Sequence, residues 1–183
     1  MNKIIIYKSL LSHDLCGDIL DFCKQKIVNI TMITASNKFP PRKQIRDLPT
    51  DIISDIEKSL RTTLYNYYTS FEIKNNYRVY YSDFGTIKPH YDVPMCGDDT
   101  HTCLIYLTDD FEGGVLTIKK PYRDNLYEDN LHEDNLYEDN LYEDITFKPM
   151  KTYGVIFPKE YIHYTDELIN GNKYILLVDL KIV

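Results

Sequence analysis

His90 and Asp92 stand two residues apart in the run His90-Tyr91-Asp92. On a strand, side chains at i and i+2 share a face. An imidazole and a carboxylate would then project together, a few ångström apart, as two ligands of one metal. His163 follows 71 residues after Asp92. If the strands that carry them are neighbours, the three make a set of two imidazoles and one carboxylate. Such a set covers one face of an octahedral Fe(II) ion and leaves three positions for a chelating cosubstrate and O2. Lys173, ten residues beyond His163, would bring an ammonium into the same interior. A buried ammonium requires an anionic partner, and a cosubstrate bearing a carboxylate supplies one. A lone H-x-D also arises as a hydrogen-bonded surface pair, so the weight falls on the whole set.

These side chains need a rigid frame. From Tyr77 onward, short β-branched and aromatic runs alternate with Gly, Pro and Asp, which is strand patterning. The runs are Arg78–Ser82, Ile87–Asp92, His101–Leu107, Gly114–Ile118, Ile145–Phe147, Tyr153–Phe157, Tyr161–Thr165 and Lys173–Lys181. Eight short strands predict a barrel or jelly roll, and in a jelly roll the second and seventh strands are adjacent. Before Tyr77 the chain reads as a helical flank of the same domain, residues 1–76. Ile4–Ile6 predict a short strand. Ser12 is a candidate N-cap with Asp14 in the first turn, and Leu15, Ile19, Phe22, Cys23 and Ile27 recur at helical spacing. A second helix opens near Thr50 after Pro49, with Ile52, Ile53, Ile56, Leu60 and Leu64 as its apolar stripe. Asn37 to Asp47 reads as a basic loop with two prolines. The fold class expected is mainly β with flanking helices (α+β), a double-stranded β-helix with the N-terminal helices packed on one face.

The segments Tyr80–Asp92 (YYSDFGTIKPHYD), Thr102–Ile118 (TCLIYLTDDFEGGVLTI) and the pair His163 and Lys173 resemble the 2-oxoglutarate/Fe(II) dioxygenase domain, and within it the prolyl 4-hydroxylase group. The resemblance covers residues 77–183. It implies that His90, Asp92 and His163 bind Fe(II) and act as the catalytic centre. It implies that Lys173 pairs with the C5 carboxylate of 2-oxoglutarate, and that Tyr81, nine residues before His90, lies in the cosubstrate pocket. Tyr106 is a second candidate for that pocket. Either tyrosine is also an ordinary core aromatic in a chain with 17 Tyr and no Trp. Gly113-Gly114 fits a tight turn into the fourth strand. The implied reaction consumes O2, decarboxylates 2-oxoglutarate to succinate and hydroxylates a protein or peptide side chain, prolyl first, with ascorbate as reductant. Lysyl hydroxylation uses the same triad and stays open. An alternative of another class is a binding module on the same scaffold without turnover, against which the intact ligand set speaks.

Charge divides the chain unevenly. The 183 residues carry a formal net charge of −7, but nine acids and no bases fall in Asp124–Asp144. The remainder has 21 basic against 19 acidic residues, so a strongly basic, nucleic-acid-binding surface has no support. Residues 124–143 repeat DNLYE, DNLHE, DNLYE, DNLYE. Period five matches neither helix nor strand, and Asp stands where a pentapeptide solenoid needs a small residue. The tract reads as an exposed insertion in the loop between the fourth and fifth strands, a tether for a basic partner or a tolerated repeat expansion. The basic loop with Lys38, Arg42, Lys43 and Arg46 reads as a cover over the site. No apolar run reaches the roughly 18 residues of a membrane span, no signal-peptide h-region follows Met1, and four cysteines make no disulfide framework. The expectation is a cytoplasmic protein, in the host cytoplasm if the wealth of Ile, Asn, Lys and Tyr, which suggests an AT-rich genome, reflects a viral source.

Overall fold

The computed structural model describes residues 3–33, 39–94, 97–122 and 141–183. Eleven strands and two helices occur among them: β1 (Ile5–Tyr7), α1 (His13–Ile27), β2 (Lys43–Ile45), α2 (Thr50–Leu64), β3 (Phe71–Ser82), β4 (Gly85–His90), β5 (His101–Tyr106), β6 (Phe111–Gly113), β7 (Leu116–Pro121), β8 (Tyr142–Phe147), β9 (Gly154–Pro158), β10 (Ile162–Gly171) and β11 (Lys173–Ile182). Two antiparallel sheets result. One runs β1-β9-β5-β11-β3-β2, and the other β4-β10-β7-β8 with β6 also on β10. This is a mainly β, jelly-roll-like architecture. The strands carrying His90 and His163 are neighbours, with the two histidines opposite one another in the register.

Helix α1 starts where Ser12 accepts a hydrogen bond from the Leu15 amide at 3.1 Å, satisfying one of the free N–H groups of the first turn. Its buried residues are Leu15, Cys16, Ile19, Leu20 and Cys23, spaced at three and four. Ile56, Leu60 and Leu64 do the same for α2. These residues share one apolar cluster with Val79, Ile105, Leu176 and Val178 of the larger sheet. A second cluster, with Tyr106, Leu116, Ile118, Phe147 and Phe157, fills the space between strands of both sheets.

Several boundaries differ from the sequence expectation. Strand β3 begins at Phe71, six residues before Tyr77, because Phe71, Glu72 and Ile73 pair with Ile182, Lys181 and Leu180 of β11. The β1 and β2 strands of the N-terminal flank are edges of the larger sheet. Strand β2 lies inside the segment read as a loop, with Gln44 opposite Tyr80. The expected strand Gly114–Ile118 begins instead at Leu116 (β7), and Gly113 and Gly114, both at positive φ (79° and 65°), separate it from the short β6. Strand β8 starts at Tyr142, so Glu143 and Asp144 are strand residues opposite Lys120 and Lys119 of β7, with which they form ion pairs at 3.4 and 3.3 Å. Residues 124–140 of the acidic repeat, His132 included, lie outside the described residues, as do Lys38 and Cys96. No described helix is long and apolar enough to cross a membrane.

Candidate metal and cosubstrate site

His90 closes β4 and His163 lies near the start of β10. Asp92 sits two residues past the end of β4, where its amide donates to the Lys159 carbonyl at 3.0 Å. That bond, rather than a continued strand, turns the carboxylate towards the histidines. Asp92 Oδ1 is 3.8 Å from His90 Nε2 and 3.9 Å from His163 Nε2. One ligand atom from each of the three residues lies within 4.8 Å of the others.

Hydrogen bonds behind the triad fix how each group presents itself. His90 Nδ1 is 2.9 Å from the Lys88 carbonyl and His163 Nδ1 is 3.0 Å from that of Tyr161. A carbonyl only accepts, so Nδ1 carries the proton in each ring and Nε2 presents its lone pair to the centre. Thr102 donates to Asp92 Oδ2 at 2.6 Å, leaving Oδ1 for the metal side. Burial, with His163 beside it, pushes His90 down to about 4, so its imidazole is neutral at pH 7. Burial would raise the Asp92 carboxyl, but His163, the Thr102 hydrogen bond and His90 hold it below the usual range. Two imidazoles and a carboxylate, each oriented from behind, suit a divalent cation.

The triad opens on a cavity of about 560 Å³ lined from both sheets, larger than a small dicarboxylic acid needs. Lys173 is 4% exposed in its wall. Its Nζ donates to the Gly114 carbonyl at 2.9 Å and lies 5.8 Å from the Tyr106 and Phe111 ring centres. Among the described residues it has no ion-pair partner, and burial pushes it down to about 8. A Cβ on Gly114 would come within 2.9 Å of Nζ, so this glycine makes room for the ammonium. The Tyr106 hydroxyl is buried, lines the cavity and has no hydrogen-bond partner among the described residues; burial raises its pKa. A buried ammonium and a buried hydroxyl without a partner among the described residues have the chemistry to receive a carboxylate.

No family model matches the sequence, and no curated protein does. Solved structures match over nearly the whole chain. A viral collagen prolyl hydroxylase from Paramecium Bursaria Chlorella virus-1, solved with 2OG, aligns with TM-score 0.62 and 18% identity over 98% of this chain and 96% of its own. A Trichoplax adhaerens prolyl hydroxylase in complex with a hypoxia inducible factor peptide fragment aligns with TM-score 0.70 and 12% identity, over 99% and 84%. The chain has the 2-oxoglutarate/Fe(II) oxygenase fold. The same fold holds other chemistry: SnoN, a non-heme alpha ketoglutarate dependent epimerase from nogalamycin biosynthesis, aligns with TM-score 0.67 and 11% identity, over 98% and 78%.

In this oxygenase fold the cavity collects His90, Asp92, His163, Lys173 and Tyr106, but not Tyr81. Tyr81 packs against the helix-side core, and its hydroxyl donates to Asn172 Oδ1 at 2.8 Å. Arg78, Tyr80 and Ser82 form the face of β3 that lines the cavity, so the expected tyrosine is displaced by one residue and therefore by one face. The alternation was readable: Tyr77, Val79 and Tyr81 make the apolar parity, and Arg78, Tyr80 and Ser82 the polar one. Sequence reasoning also missed a buried ionic group beside the triad. Arg78 and Lys159 both pair with Asp179, and Lys159 also with Asp99 at 2.8 Å.

Proposed function

We propose that the chain is an Fe(II)- and 2-oxoglutarate-dependent dioxygenase that hydroxylates a side chain of a protein or peptide, prolyl first. The observation that carries the proposal is the convergence of three groups able to ligate a metal on a cavity that also holds a buried ammonium and a buried hydroxyl, neither with an anionic partner among the described residues. His90, Asp92 and His163 would hold the metal. Lys173 and Tyr106 would take the far carboxylate of 2-oxoglutarate, the ammonium supplying charge and the phenol a second donor. Bound Fe(II) and 2-oxoglutarate together supply an O2-dependent oxidation able to hydroxylate an unactivated C–H bond. The chain's own residues set the conditions for it. The carbonyls of Lys88 and Tyr161 keep the ring tautomers fixed, and Thr102 keeps Asp92 in one orientation. Leu104, Leu116 and Ile175 give the cavity an apolar wall, which would limit water at the reacting centre and keep the oxidation directed at the substrate.

The prolyl assignment is supported by the neighbours of this fold that are prolyl hydroxylases. The test is succinate release from 2-oxoglutarate with Fe(II) and ascorbate, read together with a proteome or peptide screen for products heavier by one oxygen. Succinate and oxidised products that both vanish in Asp92→Ala, with the oxygen on proline, support the full reading. Oxygen on lysine replaces its prolyl part. Metal binding with no turnover on any peptide pool favours the non-catalytic module.

A further inference from the structure

The cavity has more positive charge than its metal and cosubstrate chemistry uses. Asp92 is the one carboxylate among the described residues of its lining, against Arg42, Arg46, Arg78, Lys159 and Lys173. Asp179 and Asp99 answer Arg78 and Lys159 from behind. On the reading proposed above, Lys173 would be answered by a carboxylate of 2-oxoglutarate and a divalent metal by Asp92 and the other carboxylate. Arg42 and Arg46 remain, and neither has a carboxylate partner among the described residues.

Arg42 is built into the wall rather than waving over it. Its guanidinium stacks on Phe39 and Tyr80, with Cζ 4.1 and 4.4 Å from their ring centres. Phe39 in turn lies edge-on to the triad's His90 at 4.7 Å. Stacking occupies the flat faces of a guanidinium and leaves its edge N–H donors free to fork onto a carboxylate. Burial lowers the Arg42 pKa, Tyr80 and Asp92 raise it and Arg78 lowers it, and the buried Nε of Arg78 has no hydrogen-bond partner among the described residues. Arg42 and Arg78 line one cavity, and a further anion between them would lower their mutual repulsion. At the same mouth, Ile33, Phe84, Tyr91 and Val93 are 41%, 48%, 46% and 64% exposed, an apolar rim suited to an extended chain.

We infer that the substrate is an acidic peptide segment: Arg42, with Arg46 at the rim, takes an Asp or Glu carboxylate beside the residue that enters the cavity, while the flanking apolar side chains lie on the Ile33, Phe84 and Val93 rim. This names the substrate class of the site proposed above and rests on that reading. The salt-sensitive, charge-assisted contact is expected to separate an acidic peptide from its amide isostere by about tenfold in affinity.

The test is selection of a random 12-residue displayed peptide library on the full chain loaded with Mn(II) and 2-oxoglutarate, for the wild type, Arg42→Gln and Arg42→Lys. Selected peptides and their Asp→Asn or Glu→Gln counterparts are then compared by calorimetry at low and high salt. The expected result is Asp and Glu enrichment on the wild type, an about tenfold preference that shrinks in salt, its loss in Arg42→Gln and partial retention in Arg42→Lys. No acidic enrichment on the wild type overturns the inference. So does a preference that survives Arg42→Gln, or an Arg42→Gln protein that loses 2-oxoglutarate binding instead. Unchanged thermal unfolding of the variants separates these results from misfolding. Arg42-dependent acidic binding without succinate formation refutes the oxygenase reading alone, and succinate formation without acidic preference refutes this inference alone.

Discussion

Lys173 offers a perturbation whose size can be worked out. Its ammonium is buried with a carbonyl as its hydrogen-bond partner, and burial lowers it from 10.5 to about 8. Receiving a carboxylate restores the charged form. In the free protein about nine in ten Lys173 side chains are protonated at pH 7 and about one in ten at pH 9. The affinity for 2-oxoglutarate should therefore fall about tenfold between these pH values, and binding at pH 9 should take up about 0.9 proton. Calorimetry with Mn(II)-loaded protein, in buffers of different ionisation enthalpy, reads both quantities. Lys173→Arg stays charged throughout, so its affinity should be flat across the interval whatever its absolute value. The same burial acts on stability with the opposite sense. A lysine whose folded pKa lies below its unfolded one destabilises the fold fully below about pH 8, and the cost disappears as pH rises through 10.5. At about 1.4 kcal/mol per pH unit it amounts to about 3 kcal/mol at pH 7. Lys173→Met should recover about 2 kcal/mol of it after losing the Gly114 hydrogen bond, raising Tm by roughly 4–8 °C, while abolishing 2-oxoglutarate binding. Wild-type affinity that is flat from pH 7 to 9 with no proton uptake, or a Lys173→Met protein that is less stable at pH 7, would refute the reasoning.

Three further outcomes follow from the surroundings of the site. Thr102→Val frees Asp92 Oδ2 and should weaken divalent-metal binding about tenfold, measured by competition with a chelating dye while the unfolding midpoint changes little. Asp179→Asn leaves Arg78 and Lys159 buried with half their neutralisation gone and should cost about 3–5 kcal/mol in denaturant unfolding. Gly114→Ala sets a methyl group against Lys173 Nζ at a positive-φ position; it should reduce 2-oxoglutarate affinity at least tenfold in calorimetry and leave metal affinity near wild type.

The residues that converge on the cavity were more legible in the chain than its walls. His90, Asp92, His163 and Lys173 are distinctive residues at distinctive spacing, and a jelly roll makes the second and seventh of the expected strands neighbours. The cavity face of β3 was misjudged because counting back from His90 ignores the turn at Asp83 and Phe84, and a strand changes face with every residue. The start of β3 was hidden by Lys74, Asn75 and Asn76, a polar run suggestive of a turn. Lys74 pairs with Asp98 and Asn76 with Asp179, contacts made across long stretches of chain that no local pattern encodes. Strand β2 is three residues long and follows two prolines, so Lys43-Gln44-Ile45 carries no strand signal of its own. Arg42 was legible as a basic loop residue, but its stacking between Phe39 and Tyr80 depends on that missed pairing.

The central claim is that His90, Asp92 and His163 form one divalent-metal site that 2-oxoglutarate completes. It is tested most directly by anaerobic titration of the wild type and the three alanine variants with Fe(II), then with 2-oxoglutarate. The account predicts one Fe(II) and one 2-oxoglutarate per wild-type chain, the second binding tightly only after the first, and loss of both in each variant. A wild type that binds no Fe(II), or Fe(II) binding that persists in all three variants, would contradict it.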